Sequence, residues 1–129
     1  MDYSNKVSQD QAKNLGIDFD GVIHDDYLGF HDGTIYGKPI EGSLAAIKFL
    51  TNHFNIIIFT AKAKKDRPLI NGKTGVQLVG EWLKKHNILK YVSEITAEKP
   101  RAMLYVDDKG FRFDNWTNTL KFIKSLSEI

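Results

Sequence analysis

Ile56-Ile57-Ile58-Phe59 runs between Asn55 and Thr60 without a polar residue to break it. A strand with one wet face alternates polar and apolar side chains. A continuous β-branched and aromatic run of this length is expected where both faces are buried, as in a parallel sheet. Other apolar runs of strand length lie on either side: Leu15-Gly16-Ile17-Asp18-Phe19 before it, Tyr91 to Thr96 and Ala102 to Val106 after it. Between them come helical spacings. Ser43 to Phe54 carries Leu44, Ile47, Leu50 and Phe54 at three- and four-residue steps, with Ser43 as the expected cap. Thr74 to His86 sets Val76, Val79 and Leu83 on one face, and Asn115 to Leu126 does the same with Trp116, Leu120 and Ile123. The order strand, helix, strand, helix, strand, strand, helix predicts a three-layer α/β domain around a mainly parallel sheet, with helices on both faces.

The chain has 129 residues, enough for one domain, so residues 1–129 are read as a single unit with 1–13 as a flexible lead-in. Hydrophobic residues at 42% and charged residues at 26% exclude a disordered or fibrous chain. There are no cysteines, which excludes a disulfide scaffold, thiol catalysis and Cys-ligated zinc or iron–sulfur sites. No apolar stretch approaches the ~20 residues that cross a membrane. Met1 to Gly16 is polar and lacks a secretory core, so a cytoplasmic protein with no membrane partner is expected. A formal charge of +2 is too small to argue for nucleic acid or membrane by itself. Locally, Lys62, Lys64, Lys65, Arg67 and Lys73 face a single Asp66. That stretch reads as a solvated loop or as a patch that meets an anionic ligand. Gly21 to Gly42, broken by Gly29, Gly33, Gly37 and Pro39, reads as a hairpin or flap, too short for a core of its own.

Ligands of such sheets bind beyond the carboxyl ends of the strands, and the polar residues collect there. Asp18-Phe19-Asp20 closes the first strand, followed by Gly21-Val22-Ile23. With eleven aspartates in the chain, an Asp-x-Asp pair alone means little; its position at a strand end sharpens it. Two nearby carboxylates repel unless one is protonated or a cation neutralises them. Asp107-Asp108 closes a later strand, and an all-oxygen set of this kind favours Mg²⁺. Thr60 and the Ala61 N–H can hold a phosphate oxygen, and Lys99, before Pro100, can enter the same sheet edge as a point charge. None of His24, His31, His53 and His86 has metal-ligand spacing; only His24 is near enough to the first motif to reach the site. Tyr27, Phe30 and Tyr36 read as packing within the flap or as rings that stack on a base, and Trp82 and Trp116 are expected to anchor the core.

Taken in order, Asp-x-Asp-Gly-Val-Ile, Thr60, Lys99-Pro100 and Asp107-Asp108 resemble the four motifs of the haloacid-dehalogenase-like superfamily, from about Gly16 to Phe113. The pattern looks like that of its small, capless, phosphatase-like members from bacteria and phages. The resemblance implies a Rossmann-like fold, an Mg²⁺ cofactor and hydrolysis of a phosphate monoester. It implies that Asp18 is the nucleophile that forms an aspartyl-phosphate, and that Asp20 protonates the leaving oxygen and later activates water. Asp18 and Asp107 would ligate the metal through side chains, Asp20 through its backbone carbonyl, and Asp108 directly or through water. Thr60, Ala61 and Lys99 would hold the phosphoryl oxygens. Dehalogenating members resemble this pattern but lack the second aspartate, which favours phosphoryl transfer. Capless members resemble enzymes that act on large substrates or complete the site with a neighbouring subunit, so a nucleotide or nucleic-acid end and a homo-oligomer are the expected partners.

Other readings stay open. The same residues would serve a nucleotidase or nucleotide pyrophosphatase, and the fold could carry a non-catalytic phosphate- or metal-binding module. A phospho-receiver also uses acidic pairs, a Thr and a Lys, but its phosphorylated aspartate follows a middle strand. No aspartate closes the Asn55 to Thr60 segment.

Overall fold

The computed structural model describes residues 13–107 and 112–127. Four strands, β1 (Asn14–Asp18), β2 (Asn55–Phe59), β3 (Glu94–Thr96) and β4 (Leu104–Val106), form one sheet in the order β3-β2-β1-β4. Every pairing is parallel. The helices are α1 (Ser43–Leu50), α2 (Gly75–Lys85) and α3 (Trp116–Ser127), with short 3-10 turns at Ala61–Ala63 and Leu89–Tyr91. The α/β class and the parallel sheet expected from the sequence are both present.

Register explains why β1 and β2 read as unbroken apolar runs. Leu15 and Ile17 lie level with Ile56 and Ile58, and Val106 lies level with Ile17, so these side chains share one face. All five are buried in a single core with Ile47 and Leu50 of α1, Val79, Trp82 and Leu83 of α2, and Trp116 and Ile123 of α3. Gly16, Ile57 and Tyr105, also level with one another, occupy the opposite face. No helix contributes to that face among the described residues. Tyr105 and Phe59 meet there edge to face, 6.3 Å between centroids, and the Tyr105 hydroxyl donates to the Pro100 carbonyl.

The expectation of helices on both faces is not met among the described residues, whose three helices share one core with the Leu15–Ile17 face of the sheet. The crossovers β1-α1-β2 and β2-α2-β3 step in the same direction across the sheet, and right-handed connections of one direction put both helices on one face. The return from β3 to β4 spans only residues 97–103, below the dozen or so residues a helical crossover needs.

Local chemistry accounts for the helix ends. Thr74 and Gln77 form a reciprocal capping box at the start of α2. At α3, Asn115 Oδ1 accepts from the Asn118 N–H at 2.8 Å. Ser43 does not cap α1: Gly42 is the N-cap, in the left-handed region at φ 87°, and Ser43 is buried. α1 also stops at Leu50, and Phe54 reaches the core from a following turn. Leu44 and Val76, expected on buried faces, are 38% and 41% exposed. Each lies in the first turn of its helix, ahead of the residues that meet the sheet. The segment Tyr91 to Thr96 is extended only over β3, because Leu89–Tyr91 closes as a 3-10 turn.

The flap between Gly21 and Gly42 is a chain of turns rather than a hairpin, its one long-range bridge joining His24 and Pro39. Both tryptophans pin the loops beyond β1: the Trp82 indole N–H donates to Gly37 O at 3.0 Å and that of Trp116 to Val22 O at 3.2 Å. Tyr27 and Phe30, expected to pack inside the flap, are 70% and 58% exposed, while Tyr36 is half-buried. Of the expected lead-in 1–13, residues 1–12 lie outside the described residues; the Lys13 carbonyl accepts from Asn55 N–H.

Candidate functional site

β1 and β4 are neighbours, yet the chain winds from β1 through β2 to β3 before returning to β4 on the other side. The winding therefore reverses between them, and a crevice opens at their carboxyl ends. Val106 lies level with Ile17, so the next residues along, Asp107 and Asp18, end adjacent strands side by side, with backbones about 4.8 Å apart. A cavity of about 290 Å³ opens there, lined by Asp18, Asp20, Gly21, Val22, Asp107, Arg112 and Phe113.

Asp20 leaves the strand in a tight turn. The Phe19 carbonyl accepts from the N–H groups of Ile23 at 2.9 Å and His24 at 3.0 Å, and Gly21 supplies the positive φ the turn requires. The turn returns His24 to Asp20: the ring Nδ1 lies 2.8 Å from Oδ1. Oδ2 accepts from Lys62 Nζ, also at 2.8 Å. Burial alone would push the Asp20 carboxyl up; the hydrogen bonds from His24 and Lys62, with the charge on Lys62, outweigh it and hold the group below the usual carboxylate value.

Lys62 reaches Asp20 because Thr60 turns the chain at the end of β2. Thr60 is buried; its N–H donates to Thr96 O, and its hydroxyl oxygen accepts from Lys62 N–H at 3.2 Å, starting the 3-10 turn Ala61–Ala63. Thr60 and Ala61 thus lie next to the crevice, joined to it through Lys62, and neither lines the small cavity.

Lys99 belongs to the loop that crosses the sheet face opposite the described helices. Its ammonium sits 4.4 Å from the Tyr105 ring centroid and 5.8 Å from that of Phe59, and its Nζ lies 2.6 Å from Asp107 Oδ2. Asp107 is 5% exposed against 37% for Lys99, so the lysine closes the outer side of a buried carboxylate.

Of the residues singled out from the sequence, Asp18, Asp20 and Asp107 share one cavity, Lys99 is paired to it, and Thr60 and Ala61 flank it. Asp108 lies outside the described residues. Two contributors, Lys62 and Arg112, were missed. Lys62 was counted only within a basic stretch, though its position two residues after a strand-closing threonine was a usable signal. Arg112 carried no local signal. His24 does reach the site, but as a fully buried partner of Asp20 rather than a group facing a ligand.

Among the described residues, no three His, Cys, Asp or Glu side chains form a metal-binding cluster. Two carboxylates that end adjacent strands, Asp18 and Asp107, line the cavity. That set suits Mg²⁺, which takes one or two carboxylates and keeps several waters. Among the described residues, no helix is long and apolar enough to cross a membrane. No protein-family model matches this chain, and no curated protein or solved structure is significantly similar to it.

Proposed function

We propose that this chain is a Mg²⁺-dependent phosphohydrolase of the haloacid-dehalogenase-like type, cleaving a phosphate monoester through an aspartyl-phosphate on Asp18. The observation that carries this reading is the meeting of Asp18, Asp20 and Asp107 at one cavity where the winding of the sheet reverses, with Lys99 held on Asp107.

In this reading a carboxylate oxygen of Asp18 attacks phosphorus in line with the leaving oxygen, and the P–O bond to the leaving group breaks. Asp20 gives that oxygen a proton, then takes one from the water that hydrolyses the acyl phosphate. Acting as the acid requires Asp20 to give up the Lys62 hydrogen bond and take up a proton; as a carboxylate it is already in the form the second step needs. In this reading Lys62, Lys99, Thr60 and the Ala61 N–H supply the donors that steady the phosphoryl oxygens. Asp18, Asp107 and the Asp20 carbonyl would hold the metal, which supplies positive charge where phosphoryl charge accumulates.

Phosphate release from an aryl phosphate and a nucleotide panel, with Mg²⁺ or with EDTA, tests the reading. Metal-dependent turnover lost in both Asp18→Asn and Asp20→Asn is the expected result. Turnover that survives either substitution, or none on any ester by a folded protein that binds Mg²⁺, overturns it.

A further inference from the structure

His24 is fully buried, and a buried imidazole facing a carboxylate has more than packing to explain. Its two ring nitrogens have different partners. The backbone N–H of Gly37 lies 2.9 Å from Nε2 and can only donate, so Nε2 must be the acceptor. In the neutral ring the proton then resides on Nδ1, which points at Asp20 Oδ1 from 2.8 Å. The tautomer is set by a backbone amide thirteen residues away in the chain.

The ring has no freedom to turn. Phe19 stacks on it at 5.4 Å and 14°, while Trp82 and Tyr36 meet it edge-on at 5.5 Å and 5.3 Å. Gly37 is fixed in turn, because its carbonyl accepts the Trp82 indole N–H. A Cβ at Gly37 would lie 1.9 Å from Asp25 O and 2.8 Å from His24 Nε2, so only glycine brings the amide this close. Trp82, Gly37, His24 and Asp20 thus form one directed hydrogen-bond chain from the core to the cavity.

We propose that His24 is the positioning residue of Asp20: its Nδ1–H holds Oδ1 and leaves Oδ2, the oxygen shared with Lys62, as the one that exchanges protons with the reacting group. This inference rests on the phosphohydrolase reading for its kinetic consequence, though the tautomer and its bond to Asp20 can be measured without any substrate. A purely structural histidine would be replaceable by an aromatic ring of similar size. A positioning histidine is not, because the donor is what Asp20 needs.

The test pairs ring ¹⁵N NMR of the histidine-labelled protein with steady-state kinetics of His24→Phe and His24→Asn, each checked for a native melting transition. Expected are a neutral Nδ1–H ring coupled to the Asp20 carboxylate and a kcat lowered about 10- to 100-fold in His24→Phe with KM unchanged. His24→Asn, whose amide N–H can take the place of Nδ1–H, should recover most of that loss. A ring protonated on Nε2 overturns the proposal, as does wild-type kcat in folded His24→Phe, or equal losses in the two variants. If the wild-type protein hydrolyses no ester, the phosphohydrolase reading fails, and the NMR result alone decides whether His24 holds Asp20.

Discussion

Lys62 Nζ and Asp20 Oδ2 sit 2.8 Å apart although forty-two residues separate them in the chain, and their side chains are only 12% and 24% exposed. The ammonium lies on a carboxylate whose other oxygen is held by His24, so Asp20 is gripped on both sides. Lys62→Met removes one grip while keeping the stem that packs along the turn. The expected cost is about 1.5–3 kcal/mol in chemical denaturation, the range for hydrogen bonds to charged groups. The Asp20 carboxyl should also titrate higher than in the wild type, read by carboxyl ¹³C NMR. Since folding depresses this group, its stabilisation is complete above the unfolded value of 3.8 and is lost as pH falls through the folded value. The Met variant should show a shallower loss of stability in that acid range.

Gly16 lies beneath the Tyr105–Phe59 pair on the sheet face opposite the described helices. A Cβ there would meet Tyr105 Cδ1 at 2.8 Å and Phe59 Cε1 at 3.4 Å. Gly16→Ala should therefore displace the Tyr105 ring and cost about 1–3 kcal/mol. Because Lys99 lies over that ring, the same substitution should loosen the Lys99–Asp107 pair, visible as faster exchange of the Lys99 ammonium protons by NMR. An unchanged ammonium signal in a destabilised variant would separate the two effects.

Lys64 and Lys65 border a cavity of about 790 Å³ that runs from Glu94 along β3 to Glu98, and the Arg67 guanidinium lies 5.2 Å from the centroid of the exposed Phe30 ring. If the site hydrolyses phosphate esters, neutralising Lys64, Lys65 and Arg67 should raise KM for polyanionic substrates such as nucleotides more than for a small aryl phosphate. Equal effects on the two substrate classes would exclude this loop from substrate selection.

His86 packs against Trp82 with ring centroids 4.5 Å apart. Burial first, then the charge on Lys85, hold it below its ordinary value of 6.5. A histidine depressed by folding contributes stability that is complete above 6.5 and declines as pH falls from there toward the folded value. Melting temperature should therefore drop on mild acidification, and His86→Gln should flatten that part of the profile.

The elements were legible in the sequence because each is encoded locally. β2 announces itself by an unbroken apolar run, α2 by the spacing of Val79 and Leu83, and α3 by Trp116 and Ile123. Asp18, Asp20 and Asp107 were legible for the same reason, since each ends or follows a recognisable strand. Ser43 misled because a serine before a helical pattern looks like a cap, whereas the left-handed backbone at Gly42 takes that position and carries Ser43 inward. Leu44 and Val76 misled because periodicity marks a face of a helix but not how far the sheet extends beneath it.

Strand and helix identities, the parallel sheet and the place of the three aspartates at strand ends followed from the sequence alone, since hydrophobic period and strand-end polarity act over a few residues. Tertiary structure decided which face the helices cover, which lysine holds Asp20, and which tautomer His24 adopts. Each of those depends on groups that meet only once the chain is folded: Lys62 with Asp20, Gly37 N–H with His24, the Trp82 indole with the Gly37 carbonyl. Contacts across such sequence separations carry no period along the chain, and so no local pattern announces them.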